Sequence, residues 1–447
     1  MSPAESHPSA EALWAAIERF TGWLDRVGYE SYDPYDLWGT RYGLFARRLY
    51  YGRNPLGYAL VAPILAVETL CPGLRGLFVK KQRFATADAQ LLLAYLNLHH
   101  LSPPSSSTHP LRAGERAGVR CSETAPWLSK ARELAKDLLR SSIPGYSGHC
   151  WGYPFDWQNN RGLWLRNTPF ITATPYCYDA FAKLSDATGE AAYLDVAESA
   201  ARFVFADLHD TPTGPDASAG SYGPFDRTQV VNASAYRCFV LFDAARRFGV
   251  EGYEAKARRN LNFILQSQRP DGSWLYALNA SGEAFIDHFH TCFVLKNLHK
   301  IWLMHPEPAI RAALHQGWAY YRRELFDAAD NPKTFAIEPR TQLVRLEMYN
   351  FAEAITLGAL LKDEIPEAFA LAQKLAARLV GQHQLPAGHF VTRVFRGGMR
   401  HKVPFLRWPQ SQLFYALTNL LLRESGLGSE KLATGATTCG VGDSGCD

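Results

Sequence analysis

In the segment FIDHFHT, Phe285 to Thr291, an aspartate and two histidines fall within four residues. A carboxylate beside an imidazole suits proton transfer near neutral pH. Asp287 and His290 are therefore candidate acid–base groups, with His288 between them; the plainer alternative is a helix cap and two packed imidazoles. A metal site is not expected, because His-x-His supplies no third ligand and no HExxH or paired Cys/His spacing occurs. A second polar concentration is SGHCWGYPFDWQNNRG, Ser147 to Gly162, which combines aromatics, glycines, amides, one acid and one base with almost no aliphatic side chain. Asp156 is a third candidate for proton handling. Trp151, Tyr153, Trp157, Gln158 and Arg161 are candidate substrate contacts, joined from elsewhere by Asn232, Trp274, Asn350 and Trp408. Glu338 and Glu347, near Arg340 and Arg345, read equally well as surface ion pairs. YDPYDLWGTRYG, from Tyr32, carries Asp33, Asp36, Trp38 and Arg41, as a lid or as plain turn chemistry.

These residues sit at recurring places in a repeat. Segments starting at Thr174, Ser234, His290, Asn350 and Ser411 are about 60 residues apart and apolar on nearly every side, the mark of helices buried all round. Between them run helices with one wet face. In AAYLDVAESAARFVFADL, for example, Leu194, Ala197, Ala201, Val204 and Leu208 recur at three- and four-residue steps, with Asp195, Glu198 and Arg202 opposite. An earlier pair starts at Thr86 and Pro126. The N-terminal amphipathic helix from Ser9 has no partner of its own; beside the last inner helix it completes a sixth hairpin and closes a ring. Alternating fully apolar and one-faced helices imply two layers. The expected fold is all-α: an (α/α)6 toroid of six helical hairpins in two concentric rings. It spans residues 1–425 as one domain, with a non-repeat lid or insertion at about 30–85 and a disordered tail at 426–447.

Each outer helix is followed by a Gly/aromatic element: GHCWGYPF, GSYGPF, GSWLYAL, KTFAIEP and GHFVTRVF. In a ring of like-pointing hairpins these connections gather around one mouth of the central cavity. Polar residues stand just before or at the inner helices, among them Thr172, Thr174, Asn232, Asn350 and Gln410. Capping of orphan amides is the plainer reading of Thr174, Ser234 and Asn350.

The chain has 447 residues and a formal net charge of +4, which gives no footprint for nucleic acid. The start has no basic and apolar leader pattern. Eight cysteines are scattered without a CxxC pair, as expected of a reducing, cytoplasmic setting. Asn54 to Leu74 is apolar and flanked by Arg and Lys, but Pro63 and Glu68 interrupt it. Its uninterrupted part is too short for a span of about 20 residues, so a buried or interfacial segment is expected, with peripheral membrane association as one outcome. No P-loop, GxGxxG, GxSxG or HExxH occurs and no cofactor is expected. The acidic DxDD or DDxxD run that a terpene-cyclase toroid needs is also missing. The sequence leaves the oligomeric state open.

A mouth rimmed by aromatics, carboxylates, amides and Arg suits a saccharide, whose apolar faces stack on rings while hydroxyls find acceptors and donors. YDPYD, CWGYPFDWQ, DGSW and above all FIDHFHTCFVLKNL resemble a bacterial family found with exopolysaccharide and capsule genes, labelled VpsJ-like, within the six-hairpin glycosidase-like superfamily. The resemblance runs from about Tyr32 to Leu421. It implies the toroid fold and a role on a saccharide or lipid-linked sugar in surface-polysaccharide assembly. Where that family's pattern reads Asn-Phe-His-Thr-Gly, this chain has His288, Phe289, His290, Thr291 and Cys292; His290, with Asp287 before it, is the shared position. Two functions compete: an enzyme using hydrolase, lyase or epimerase acid–base chemistry, and a non-catalytic glycan-binding or scaffold toroid.

Overall fold

The computed structural model describes residues 8–102, 126–279, 284–337 and 343–427. Its helices are α1 (Ala10–Val27), α2 (Arg41–Tyr51), α3 (Pro55–Leu70), α4 (Ala85–Leu101), α5 (Pro126–Arg140), α6 (Thr174–Thr188), α7 (Ala191–Ala206), α8 (Val231–Phe248), α9 (Tyr253–Gln266), α10 (His288–Met304), α11 (Pro308–Glu324), α12 (Met348–Leu360), α13 (Pro366–Arg378) and α14 (Ser411–Glu424). The even-numbered helices from α4 to α14 form the inner ring, each packed on the next, and α14 returns to α4. α5, α7, α9, α11 and α13 pack outside them, and α1 packs on α14 as the sixth outer helix. The fold is the expected (α/α)6 toroid.

Sequence explains the layering. α4 and α8 bury almost every residue, whereas α5 buries only the stripe Ala131, Leu134, Ala135 and Leu138 and turns Glu133 and Lys136 to solvent. Each fully buried Leu or Phe contributes about 1.5–3 kcal/mol. Among the described residues no helix is long and apolar enough to cross a membrane. The described cysteines are all free, four buried and Cys71 exposed. The expected disordered tail from 428 onward, Glu338 and Arg340 lie outside the described residues.

The Gly/aromatic element is a structural joint. Trp151 and Trp274 are 1 % and 3 % exposed. Their indole N–H groups donate to carbonyls of the preceding outer helix, Leu138 at 2.8 Å and Ile264 at 2.9 Å. The glycine before each lies against the following outer helix. A Cβ on Gly148 would stand 1.8 Å from the Ser199 carbonyl, and one on Gly272 2.3 Å from that of Gln316. The sixth copy closes the circle: a Cβ on Gly388 would stand 2.1 Å from the carbonyl of Arg19, on α1.

The expected caps are not caps. Thr174 Oγ1 accepts the amide of Trp151, Ser234 Oγ that of Gly220, and Gln410 Oε1 that of Phe390. The first residues of the inner helices thus hold the preceding loop, whose buried amides need acceptors. Asn350 is 0 % exposed with neither amide atom paired among the described residues.

The entry loops are stitched in series around one mouth. Ile171 N donates to Tyr222 O, Val231 N to Tyr276 O, His288 N to Thr334 O and Met348 N to Thr392 O, at 2.9–3.1 Å. Short strands reinforce this: β1 (Trp157–Asn159) with β2 (Gly162–Trp164), β3 (Asp210–Gly214) with β4 (Ala217–Gly220), β5 (Ile286–Asp287) with β6 (Phe335–Ile337), and β7 (Val344–Glu347) with β8 (Arg393–Phe395), itself paired to β9 (Arg400–His401). α2 and α3 belong to the insertion, and α2 packs over β1.

Candidate active site

Asp287 closes β5 and caps α10. Its Oδ1 accepts the backbone amide of His290 at 2.9 Å, and its Oδ2 pairs with His290 Nδ1 at 2.7 Å. The cap geometry fixes the carboxylate, and the carboxylate fixes the imidazole, which then presents Nε2. That nitrogen has no protein partner among the described residues. The ring of His290 packs on Tyr276 at 4.5 Å and Phe289 at 4.3 Å. Beside the dyad is a crevice of about 10 Å³, lined by Asn232, Trp274, Tyr276, Asp287, His290 and Thr291 among others. Asn232 is 1 % exposed and neither atom of its amide is paired among the described residues. An unpaired buried amide is costly in an ordinary core.

His288 is different from His290. It points away from the mouth, donates to or accepts from Tyr321 Oη through Nε2 at 2.6 Å, and is buried. Burial pushes its imidazole down to about 3, so it stays neutral and packs the joint between α10 and α11.

Two arcs of aromatics border the mouth and meet at Arg407 and Trp408. One runs from Tyr276 through His290 and Phe289 to Trp408, whose ring lies 5.1 Å from Phe289 and stacks on Tyr349 at 3.9 Å. The other runs from Arg407, 4.6 Å over Tyr153, through Phe170 to Tyr222. Trp157 joins this arc through Phe170 and Tyr35. Tyr153, Trp157, Tyr276, Phe289 and Trp408 are half-buried. They keep ring surface for a ligand, whereas the stacking expected of Trp151 is excluded by its burial, and Trp274, itself buried, lines the crevice.

The acids around the mouth are nearly all committed. Asp33 takes Arg407 at 2.5 and 2.8 Å and also accepts the amide of Tyr35. Glu347 pairs with Arg393 at 2.6 Å, and Glu353 with Lys296 at 2.5 Å. Asp36 is held by Arg75 and by the amides of Asp33 and Leu37; burial raises its carboxyl to about 6 despite Arg75. The Tyr32 segment is thus turn chemistry plus a buried ion pair that ties the insertion to the entrance of α14. Asp156 accepts the amide of Arg166 at 2.7 Å across the base of the β1–β2 hairpin. It shares the face of Asp287 but stands two loops away, and no hydrogen bond joins them among the described residues. Gln158 meets Arg47 through its carbonyl, and Arg161 sits at the hairpin turn with its amide on Asn159. Asn350 is buried under the rim beside His288.

Sequence reasoning missed the axial lining. Tyr176, Asp179 and Lys183 on α6, Phe293, Lys296 and Lys300 on α10, and Tyr349, Glu353 and Thr356 on α12 recur at three- and four-residue steps. Enclosed by the inner ring, Lys183 is still 36 % exposed by side chain: solvent reaches it along the axis. Asp179 pairs with Lys300 at 2.7 Å and Lys183 at 3.4 Å. Burial alone would raise its carboxyl, but the two ammonium groups hold it well below the usual range. Burial and the neighbouring Lys183 and Lys296 push Lys300 down, against Asp179.

The architecture is that of (α/α)6 toroid enzymes. The chain is similar to an unsaturated glucuronyl hydrolase specific for heparin (10 % identity, 95 % of this chain and 99 % of that one, TM-score 0.59). It is also similar to a D-mannose isomerase (11 %, 95 % and 100 %, TM-score 0.59). A third similar structure is the cellobiose 2-epimerase of Bacillus thermoamylovorans (9 %, 77 % and 88 %, TM-score 0.57). At such identities the likeness is one of fold. No protein-family model and no curated sequence matches the chain.

Proposed function

We propose that the chain is a carbohydrate-active enzyme in which His290, oriented by Asp287, moves a proton on a sugar seated against the aromatic rim. One observation carries this reading: Asp287 spends both carboxylate oxygens on His290, so the imidazole Nε2 is the base left facing the mouth. Glycoside hydrolysis commonly uses two carboxyl groups flanking the bond. Here the neighbouring acids are bound to Arg or Lys, and Asp156 is two loops away. Proton transfer at a C–H bond next to a sugar carbonyl, as in epimerisation or isomerisation, needs one positioned base and a partner acid, and it fits this donor set better. An isomerase and an epimerase are among the similar structures, as are glycoside hydrolases, an analogy of fold alone. Asn232 would meet a hydroxyl. Trp157, Tyr153 and Trp408 would supply ring faces, and Gln158 and Arg161 would sit at the hairpin edge. The finer setting, surface-polysaccharide assembly in the cytoplasm by a member of the VpsJ-like family, is supported by the motif resemblance and by the free cysteines.

The competing reading is a glycan-binding toroid without turnover, favoured by the close Tyr349–Trp408 stack and the small size of the crevice. One experiment separates them: incubation with mannose, glucose and reducing disaccharides in deuterated water, followed by NMR. The enzyme reading expects deuterium at the carbon next to the carbonyl, and an Asp287→Asn loss of about 10²–10⁴-fold. Undiminished turnover by His290→Ala would reject the assignment. Saccharide binding without exchange or bond cleavage would favour the toroid as binder.

A further inference from the structure

The insertion carries a surface that the toroid does not need. α3 buries Gly57, Val61, Ile64 and Glu68 against the rest of the insertion. Its opposite face is as apolar as its buried one, unlike α5 with its charged outer face. Leu56, Tyr58, Leu65 and Leu70 stand exposed on α3, and Leu77 and Phe78 follow on the next turn, at 77 % and 62 % exposure. Exposed apolar side chains concentrated in one unit in this way mark an interaction site. Between Leu37 and Lys81 there are seven basic residues and one acid, Glu68. That acid is buried and bound to Arg75. Arg41, Arg48, Arg53, Lys80 and Lys81 remain at the surface of the same unit, and none has an acidic partner among the described residues.

We propose that α2, α3 and the turn through Phe78 dock the protein on a bilayer bearing anionic headgroups. Apolar side chains would enter the acyl boundary while the Arg and Lys fringe meets the phosphates, as in interfacial helices. Charge complementarity decides the occupant. A second copy of the chain on this face would bring the same cationic fringe against itself in a two-fold interface, whereas anionic lipid neutralises it. The patch is continuous with the mouth: α2 packs on β1, and Arg47 lies over Trp38 and Tyr35, at 4.4 and 5.3 Å. A docked toroid would therefore hold its mouth near headgroup level, within reach of a sugar carried on a lipid. That last step rests on the proposed sugar chemistry; the docking does not.

The test is flotation of the full chain with vesicles of phosphatidylglycerol and phosphatidylcholine, and with phosphatidylcholine alone, alongside its mass in solution. Binding is expected to the anionic vesicles, with partition falling about fivefold for each cation neutralised in Arg48→Gln and Arg53→Gln. Leu77→Ser with Phe78→Ser, both at exposed positions, is expected to reduce binding at least about tenfold while leaving the melting temperature unchanged. Failure to bind anionic vesicles overturns the proposal, whether the chain is then monomeric or a dimer that Leu77→Ser and Phe78→Ser dissociate. Vesicle binding that both sets of variants leave intact also overturns it. Absence of sugar turnover in the deuterium experiment leaves this result untouched.

Discussion

The loop leading into α6 and the loop leading into α10 begin alike and end differently. Both open with a glycine pressed on the next outer helix and a Trp whose N–H caps the last carbonyls of the previous one. Beyond the Trp, the first grows a β-hairpin that joins the aromatic rim and meets the insertion, while the second shortens into Asp287 and His290. The shared half is what any ring of hairpins must supply at each joint; the divergent half is where a site can be added without disturbing the ring.

The strongest way to break this division is at the shared half. Gly272→Ala puts a Cβ into the Gln316 carbonyl at a φ of +92°, and Trp274→Ala empties a buried indole site. Each is expected to cost about 3–5 kcal/mol of stability, read by denaturant unfolding. A cost below about 1 kcal/mol would mean that the joint is not structural.

The two histidines of α10 sharpen the comparison next. An unfolded imidazole takes its proton near 6.5, while buried His288 resists until about 3. Stability linked to His288 is therefore complete above about pH 6.5 and lost as the pH falls toward 3, amounting to about 2 kcal/mol at about pH 5. His288→Gln is expected to reduce the slope of that part of the acid-unfolding profile, which buried His299, His383 and His401 also set; a slope equal to that of the parent protein would remove the assignment. The smallest effect belongs to the divergent half of the first loop. Trp157→Ala should change stability by about 1 kcal/mol or less and weaken saccharide binding by about the same amount in calorimetry.

The hairpin order was legible because fully apolar and one-faced helices alternate over the whole chain, and the unpaired first helix pointed to closure. The Asp287–His290 pair was legible because its partners are three residues apart. Trp151 was misread as a ligand contact because a Gly-Trp loop looks the same whether the ring stacks on sugar or on the next helix; only burial separates the two. The Asp33–Arg407 pair joins residues 374 apart, a distance over which local spacing carries no information. The axial charges were legible in principle. Asp179 and Lys183, or Lys296 and Lys300, mark one polar stripe on helices otherwise read as apolar all round.

The closure through α1 also bears on how the chain is made. Phe20 stacks on Phe414 at 4.9 Å, and Arg19 reaches Gln384, so α1 finds its seat only after the residues through α14 have followed it from the ribosome. Until then its apolar stripe has no permanent neighbour, the condition under which nascent chains meet chaperones or stick to one another. The clasp of the finished ring is thus the exposed end of the unfinished one.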